Sequence, residues 1–218
     1  MIDIAVVDYG MGNLRSVAKA LEHVAPDAKI CVSDSGQQIR DAKRVVFPGQ
    51  GAMPDCMREL DARGLRQPLL EAARSKPFLG ICIGLQMLFE WSEEGAVEGL
   101  GVLPGKVWRF PQDAMVNGHG AKLKVPHMGW NQVEQRRSHA LWKGISSGSR
   151  FYFVHSYFVE AGNTQQIAAV SRYPFAFTCA VARDNIFAVQ FHPEKSQSAG
   201  LRLLANFVDW NGQAQAGP

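Results

Sequence analysis

The sequence lacks the features that mark several classes of protein. Its four cysteines, Cys31, Cys56, Cys82 and Cys179, lie far apart, so that no C-x-x-C pair or other zinc-ligand spacing occurs. No uninterrupted apolar stretch approaches the roughly 18 to 20 residues that cross a membrane. The first residues form a strand-like run rather than the basic and then apolar segment of a signal peptide. We therefore expect a cytoplasmic protein with free thiols, no membrane association, no metal and no cofactor.

The chain also lacks an excess of either charge. Its 23 lysines and arginines are nearly balanced by 20 aspartates and glutamates, which leaves a net charge of +3. The densest basic positions, Arg136-Arg137 and those between residues 106 and 124, do not alternate with aromatic residues as a nucleic-acid surface would. We interpret them as a solvated face and expect no nucleic-acid partner, while docking of an acidic partner or a phosphate stays open.

Strand-like and helix-like segments alternate in the first half of the chain. Apolar runs at residues 2–8, 44–47 and 77–81 read as buried strands, and glycine-bearing segments and helix-like periodicity follow them. From about residue 95 onward, glycines break the chain and strand-like runs recur with few helices. The pattern predicts an α/β fold, in which a mixed, largely parallel central sheet is flanked by helices and gains antiparallel strands in the second half.

Length and composition suit one folded unit. At 218 residues and 46% hydrophobic composition, the chain can bury a full core. We expect residues 1–210 to form a single domain and residues 211–218 to be a frayed tail. Within the domain, a loop is expected at residues 114–121 and a strand at residues 122–125.

A cysteine stands where a predicted strand turns into a predicted helix. Gly80 and Gly84 lie two residues before and after Cys82, which is the spacing of a nucleophile elbow. A thiol at a helix N-terminus faces unpaired backbone N–H groups and the positive end of the helix dipole, which favour the thiolate. The same groups could stabilise an oxyanion. The pattern alone does not exclude the alternative, in which Cys82 is only a small buried apolar residue.

Two glycine-bearing loops follow earlier predicted strands. Pro48-Gly49-Gln50-Gly51 ends an apolar strand, and such a loop can expose backbone N–H groups to an oxyanion or a carboxylate, although an ordinary turn is an open alternative. The loop at residues 9–13 contains Gly10-x-Gly12 but no third glycine at the spacing of a dinucleotide-binding loop. Only the first loop therefore predicts a site.

One histidine directly ends an apolar strand. His192 and Glu194 flank Pro193, and residues i and i+2 of an extended segment lie on the same side. Glu194 can then accept a hydrogen bond from one imidazole nitrogen while the other faces a thiol, as in a catalytic triad. A core histidine beside a helix-start glutamate is the alternative. Among the other histidines, His23 and His139 are interpreted as surface residues, His127 and His155 as structural or site-lining groups, and His119 has no clear signal.

Together these segments resemble the three signatures of class I, triad-type glutamine amidotransferases. The matching segments are residues 48–51, 80–86 and 191–194. Ile83 and Leu85 stand where that family often has Leu and Met, and Gln50 stands where Val is common. A loop that acts through its backbone should tolerate this last difference.

Three further segments resemble a narrower family, the glutaminase subunits of imidazole glycerol phosphate synthase in histidine biosynthesis. These are residues 8–14 (DYGMGNL), 126–131 (PHMGWN) and 152–157 (YFVHSY). The resemblance extends from about residue 2 to residue 207. It implies a glutaminase that hydrolyses L-glutamine to glutamate and ammonia and supplies the ammonia to a synthase.

The resemblance also implies roles for individual residues. Cys82 would attack the side-chain amide of glutamine, His192 would accept a proton and deliver it to the departing ammonia, and Glu194 would fix the imidazole. The backbone N–H groups of Gln50 and Ile83 would form the oxyanion hole. The residues placed around the substrate glutamine are Gly49, Gly51, Gln86, Ser156 and Tyr157.

The partner implied by the resemblance is a cyclase subunit with a (β/α)8 barrel. It would convert a phosphoribulosyl formimino nucleotide to imidazole glycerol phosphate and an aminoimidazole carboxamide ribotide. Because such a barrel needs roughly 250 residues of its own, it must be a separate polypeptide in a heterodimer. Asn13, Arg15 and Trp130 are predicted to lie on the docking face. Hydrolysis by the isolated chain is expected to be slow.

Three other functions remain as alternatives. The chain could be the glutaminase of another pathway, such as anthranilate, aminodeoxychorismate or GMP synthesis, although the segments at residues 126–131 and 152–157 argue against this. It could be a catalytically silent α/β module that regulates a partner, which an intact set of Cys82, His192 and Glu194 disfavours. It could also be a thiol peptidase, which the covalent adduct formed with a peptide or with free glutamine would distinguish.

Overall fold

A computed structural model of the chain describes residues 1–111, 115–116 and 122–213. The helices in these ranges are α1 (Leu14–Val24), α2 (Gly36–Asp41), α3 (Met53–Ala62), α4 (Arg66–Ser75), α5 (Ile83–Met87) and α6 (Gln197–Asp209). The strands are β1 (Ile4–Val7), β2 (Ile30–Ser33), β3 (Arg44–Gly49), β4 (Phe78–Cys82), β5 (Trp91–Ser92), β6 (Val97–Glu98), β7 (Gly105–Arg109), β8 (His127–Gln132), β9 (Glu134–Gln135), β10 (Arg150–His155), β11 (Tyr157–Ala161), β12 (Ile167–Arg172), β13 (Ala176–Arg183) and β14 (Ile186–Val189).

Most of these strands form one mixed sheet. Its order is β2-β1-β3-β4-β14-β13-β11-β7-β5-β6, and β12 pairs with β13 and with β9. The strands from β2 to β14 in this order run parallel. Beyond β14 the sheet continues through the antiparallel pairings of β13, β11 and β7, and it ends with β5, which runs parallel to β7, and the antiparallel β6. The predicted fold class is therefore confirmed, and structures with the same fold are described below.

Side chains of the parallel strands alternate between two hydrophobic cores. On β1, Ile4 and Val6 belong to one core, while Ala5 and Val7 belong to the other. Successive side chains of a strand point to opposite faces of a sheet, so a strand covered on both faces must be apolar throughout. This explains the continuous apolar run in β1. On α1, the buried Val17 and Leu21 contribute to the first core.

The structure differs from the sequence-based prediction in the middle of the chain. The strand expected at residues 122–125 is wrong, since Lys122 makes only an isolated bridge with Val116. The pair β8 and β10 forms a separate two-stranded sheet. The loop expected at residues 114–121 lies mostly outside the described residues. Of the predicted tail, residues 214–218 lie outside them too, whereas the backbone carbonyl of Gln213 accepts a hydrogen bond from Trp210 Nε1 at 2.9 Å.

The topology brings three strand ends together. Because β3, β4 and β14 are parallel neighbours, their carboxyl ends meet at one edge of the sheet, where sites in open α/β sheets gather. The residues there are Gly49, Cys82 and the segment that follows Val189. No helix in the described ranges is long and apolar enough to span a lipid bilayer.

Candidate active site

Cys82 occupies a strained turn between β4 and α5. Its φ of 56° and ψ of −112° lie where non-glycine residues are rare, which is the backbone strain of a nucleophile elbow. A Cβ on Gly84 would overlap the carbonyl oxygen of Phe47 on β3, and one on Gly80 would come within 2.9 Å of the Ala188 Cβ. The two glycines are therefore needed because neighbouring strands pack closely against the turn. Cys82 as a residue is 8% exposed.

His192 and Glu194 form a buried hydrogen-bonded pair. His192 Nδ1 lies 2.8 Å from Glu194 Oε1, and the two side chains are only 6% and 1% exposed. A hydrogen bond of 2.9 Å from the His192 backbone N–H to the Tyr152 carbonyl fixes the main chain before the short turn Pro193–Lys195. In the described part of the chain, His192 Nε2 has no hydrogen-bond partner. It lines the same cavity as Cys82.

The surroundings of His192 favour its protonated form. Burial is the largest effect and opposes a charge on the ring, but Cys82 and Glu194 together outweigh it and raise the pKa of His192 to about 10. An imidazolium held between a sulfur and a carboxylate can stabilise a thiolate and later donate a proton. The arrangement is suited to nucleophilic attack by sulfur with acid catalysis by the ring.

The loop after β3 lies beside this pair. Gln50 and Gly51 are exposed and line the cavity, whereas Gly49 is buried behind it. A Cβ on Gly49 would overlap Tyr9 Oη and Ile83 Cγ2, so this position admits only glycine. Ile83 is the first residue of α5, and a helix does not supply an acceptor for its first N–H groups. The helix therefore leaves the Ile83 N–H without an intrahelical acceptor, as the predicted role in an oxyanion hole requires.

A cavity of about 410 Å³ connects these elements. The predicted site residues that line it are Gln50, Gly51, Cys82, Ile83, Gln86, Ser156, Tyr157 and His192. Glu194 lies behind His192, where it orients the ring without facing the cavity. Segments from both halves of the chain thus enclose one space beside the thiol.

Comparison with known proteins agrees with this geometry. A family model described as "Glutamine amidotransferase class-I" matches residues 5–210. The chain belongs to the class I glutamine amidotransferase family. Two relatives named "Imidazole glycerol phosphate synthase subunit HisH" are 68% identical to this chain over 96% of its length. The alignment covers 99% of the relative from Nitrosospira multiformis and 92% of the relative from Thiobacillus denitrificans. A solved glutamine amidotransferase has a TM-score of 0.69 at 18% identity, over 94% of this chain and 99% of its own, which shows the shared fold.

These matches bear on the sequence-based predictions. The family predicted from residues 48–51, 80–86 and 191–194 is confirmed, as is the narrower family predicted from the three additional segments. The amidotransferase is thus an enzyme of the kind expected, a glutaminase subunit of imidazole glycerol phosphate synthase in histidine biosynthesis. The roles of individual residues stay predictions.

Sequence reasoning missed three polar residues of the site, which are Glu94, Gln190 and Lys195, the last of which also lines the cavity. Glu94 lines the cavity, accepts a hydrogen bond of 2.8 Å from the Met53 backbone N–H, and has a carboxyl pKa raised by burial. No sequence pattern singles it out in the short turn Glu94–Ala96. Gln190 is completely buried beside Cys82. Its signal was available, because it is the one amide within the apolar run at residues 186–191.

A chain of hydrogen bonds links two further buried histidines to the cavity wall. His155 Nδ1 lies 2.8 Å from the Tyr157 carbonyl, which can only accept, so Nδ1 carries the proton. His155 Nε2 must then accept from His127 Nδ1 at 2.9 Å, and His127 Nε2 faces Asn131 Nδ2 at 3.2 Å. Burial lowers the pKa of His127 to about 4 and that of His155 to about 3, so both rings are neutral.

The interpretation of His139 as a surface residue is wrong. The residue is 5% exposed, its ring lies 4.6 Å from that of Phe187 and 5.0 Å from that of Trp210, and its Nδ1 accepts a hydrogen bond from the Leu141 N–H. The neighbouring residues in the sequence are polar, but the aromatic residues that surround His139 come from distant segments of the chain. His23 is exposed, as expected, and His119 lies outside the described residues.

The residues predicted to dock a partner lie outside the cavity lining. Asn13 is half-buried at the start of α1, where its side chain makes no capping hydrogen bond, and Arg15 is exposed. Trp130 on β8 is 39% exposed, and Met128 on the same strand is 62% exposed. In the described ranges, no group of three or more His, Cys, Asp or Glu side chains is arranged to hold a metal ion.

Proposed function

We propose that this chain hydrolyses glutamine with a Cys82-His192-Glu194 triad and delivers the ammonia to a separate (β/α)8-barrel cyclase. In this proposal, residues 1–210 act as one glutaminase domain in the cytoplasm. The observation that carries the proposal is a sulfur and an imidazole facing one cavity, with the imidazole held by a buried carboxylate at 2.8 Å. Membership of the amidotransferase family supports it.

The chemistry begins from the ion pair in which the Cys82 proton has already passed to His192 Nε2. The thiolate attacks the side-chain carbonyl carbon of glutamine, and the N–H groups of Gln50 and Ile83 stabilise the oxyanion that forms. His192 donates its proton to the departing nitrogen, the C–N bond breaks, and ammonia leaves a thioester on Cys82. His192 then takes a proton from water, whose oxygen attacks the thioester and releases glutamate. Glu194 keeps the imidazole in one orientation throughout.

The cavity suits an amino-acid substrate. Glutamine carries an α-ammonium group, and the Glu94 carboxylate in the cavity wall is a counterion for it. Such a cation would offset the burial that raises the pKa of Glu94. Ser156 and Tyr157 on the opposite segment, together with Gly51 and Gln86, are proposed to hold the rest of the amino acid.

The partner is inferred from the chemistry of the product. Ammonium is not a nucleophile, so ammonia must reach the second active site through a route shielded from water. The relatives are named as subunits of a synthase, which supports a second polypeptide. Met128 and Trp130 expose apolar surface that a partner could cover. We propose that Asn13, Arg15 and Trp130 belong to this docking face.

Covalent labelling tests both parts of the proposal. The chain is incubated with diazo-oxo-norleucine, a glutamine-analogue electrophile, with and without the barrel cyclase, and the label is located by mass spectrometry. We expect one adduct, on Cys82, formed faster with the barrel. Cys82→Ser should abolish labelling, whereas Cys31→Ser, at a partly exposed thiol, should not change it. Label on another residue would refute the nucleophile, and an unchanged rate with the barrel would refute the partner.

Turnover with different acceptors tests the pathway. Glutamine-dependent product formation is measured with the barrel cyclase and with the anthranilate, aminodeoxychorismate and GMP synthases. Only the cyclase is expected to use the ammonia. Equal transfer to another synthase would contradict the assignment, and Cys82→Ser supporting glutamine-dependent turnover as well as the parent would indicate a silent regulatory module instead.

A further inference from the structure

Gln190 is a buried amide in a position where burial needs a reason. It follows β14 directly, lies between the buried Val189 and Phe191, and is 0% exposed. Its backbone is fixed by a hydrogen bond of 2.9 Å from its N–H to the Cys179 carbonyl. An amide removed from water costs free energy unless its donors and acceptor are paired, so the side-chain contacts of Gln190 must compensate.

The direction of the Gln190 amide follows from its neighbours. Gln86 Nε2 donates at 3.3 Å to the Tyr157 carbonyl, which can only accept, so the Gln86 nitrogen is identified. The same nitrogen donates to Gln190 Oε1 at 3.1 Å. Gln190 Nε2 must therefore point the other way, and it lies 3.9 Å from Cys82 Sγ. Such contacts are often long before substrate binds and shorten in the reacting complex.

We propose that Gln190 is a further catalytic residue, whose side-chain N–H donates a hydrogen bond to the Cys82 thiolate and directs the sulfur toward the substrate carbonyl. Gln86 acts as a positioning residue for Gln190, because it holds the amide oxygen away from the sulfur. An amide turned over would present its oxygen to the thiolate and repel it. The inference rests on the proposed function, since it takes Cys82 as the nucleophile.

Gln190 works beside stronger charges. The titratable groups that face Cys82 are His192 from the segment after β14, Tyr9 from the loop after β1, and Cys56 from α3. Glu94 and Lys195 line the same cavity. The imidazolium supplies the main attraction for the thiolate, and a neutral amide adds one directed donor. Its loss should therefore cost far less activity than loss of His192.

The test is a substitution that removes the donor and preserves the volume. Gln190→Met is compared with Gln166→Met, which alters another buried glutamine, in the turn Thr164–Gln166 away from the cavity. The rate of Cys82 alkylation by iodoacetamide is followed against pH, together with kcat and KM for glutamine in the presence of the barrel cyclase. We expect Gln190→Met to shift the alkylation midpoint upward by about one pH unit and to lower kcat about tenfold, with KM within about twofold.

Other outcomes would overturn the inference. An unchanged alkylation midpoint and kcat in a folded Gln190→Met would show that the amide serves packing only, and a raised KM with unchanged kcat would show that it holds substrate. If Gln190→Met does not fold, Gln190→Asn retracts the same amide and should give the same shift. Alkylation is read without glutamine, so a chain that fails to hydrolyse glutamine would refute the proposed function separately.

Discussion

His192 and His155 are both buried and line the same cavity, yet they differ in charge. They are 5% and 6% exposed. His192 has a carboxylate on Nδ1 and faces a thiol, and its pKa is raised to about 10 against the effect of burial. His155 has a carbonyl on Nδ1 and a neutral imidazole on Nε2, and burial lowers its pKa to about 3. The neighbouring groups, for His192 the Cys82 sulfur and then the Glu194 carboxylate, therefore decide the charge of each ring, rather than the extent of burial.

The difference in charge separates two tasks. A charged His192 can hold and deliver a proton, as the proposed chemistry requires. A neutral His155 has one donor and one acceptor in fixed places, so it can hold the Tyr157 carbonyl that also accepts from Gln86. Holding a carbonyl requires a correctly oriented N–H donor and does not require the ring to change its protonation state. Replacing the partner of either histidine should therefore weaken the contrast.

The largest effect is expected for Glu194→Gln. This change gives His192 a neutral partner like that of His155, which lowers its pKa and no longer stabilises the imidazolium. The kcat for glutamine hydrolysis with the barrel cyclase should fall by about 10²- to 10⁴-fold. The pKa of the ring can be followed by NMR in the same variant.

A matched substitution controls for the loss of a carboxylate. Glu160→Gln alters an exposed glutamate whose side chain accepts from Trp108 Nε1, a bond that an amide oxygen can replace. Its kcat should equal that of the parent. If Glu194→Gln retained full kcat, the assignment of Glu194 as the group that orients His192 would be wrong.

A smaller effect is expected for His127→Phe. A phenyl ring keeps the stacking on Tyr173, whose ring centroid lies 4.0 Å away, but removes the donor to His155 Nε2. An acceptor left unpaired in the interior should lower the free energy of unfolding by about 1 to 3 kcal/mol. Chemical denaturation measures this loss, and KM for glutamine should rise because the Tyr157 segment is held less firmly.

His139→Phe is the control for the second prediction. It replaces another buried histidine, packed on Phe187 and Trp210, which is not part of the cavity lining. It should change stability without changing KM. An equal rise in KM in both variants would mean that the His127 effect is transmitted by general loosening rather than by the hydrogen-bond chain.

The smallest of the expected effects is the change in folding stability with pH. His127, His139 and His155 have folded pKa values below the unfolded value of about 6.5, so the unfolded chain binds more protons. Stability is therefore lost as the pH falls from about 6.5 toward about 4 for His127 and His139 and toward about 3 for His155. His192 has a raised folded pKa, so its contribution is present below about 6.5 and is lost as the pH rises toward about 10.

Variants separate these two slopes. Each histidine contributes at most one proton, which is about 1.4 kcal/mol per pH unit. Denaturation at several pH values should show a shallower acid loss for His127→Phe and a shallower alkaline loss for Glu194→Gln. An acid slope that His127→Phe leaves unchanged would show that the buried ring does not stay neutral in the folded chain.

Local pattern was enough to predict much of the fold and the central site residues. The apolar run of β1 predicts a strand covered on both faces, and the spacing of Gly80, Cys82 and Gly84 predicts the turn, because both depend on neighbours along the chain. The strand expected at residues 122–125 was wrong because a short segment that alternates polar and apolar residues does not reveal whether a pairing partner lies alongside. The interpretation of His139 as a surface residue was wrong because the rings that bury it, those of Phe187 and Trp210, are distant in the sequence.

The amino-acid order by itself determined which chemical groups are available and where the backbone can bend, since these depend on residue type and on spacing within a few positions. Only the tertiary structure decided which groups meet: that Glu94 faces the cavity, that the Gln190 amide points its nitrogen at Cys82, and that one buried histidine is charged while its neighbour is neutral. The reason is physical. A pKa or the direction of an amide depends on charges and acceptors within a few ångströms, and here they come from segments tens of residues apart.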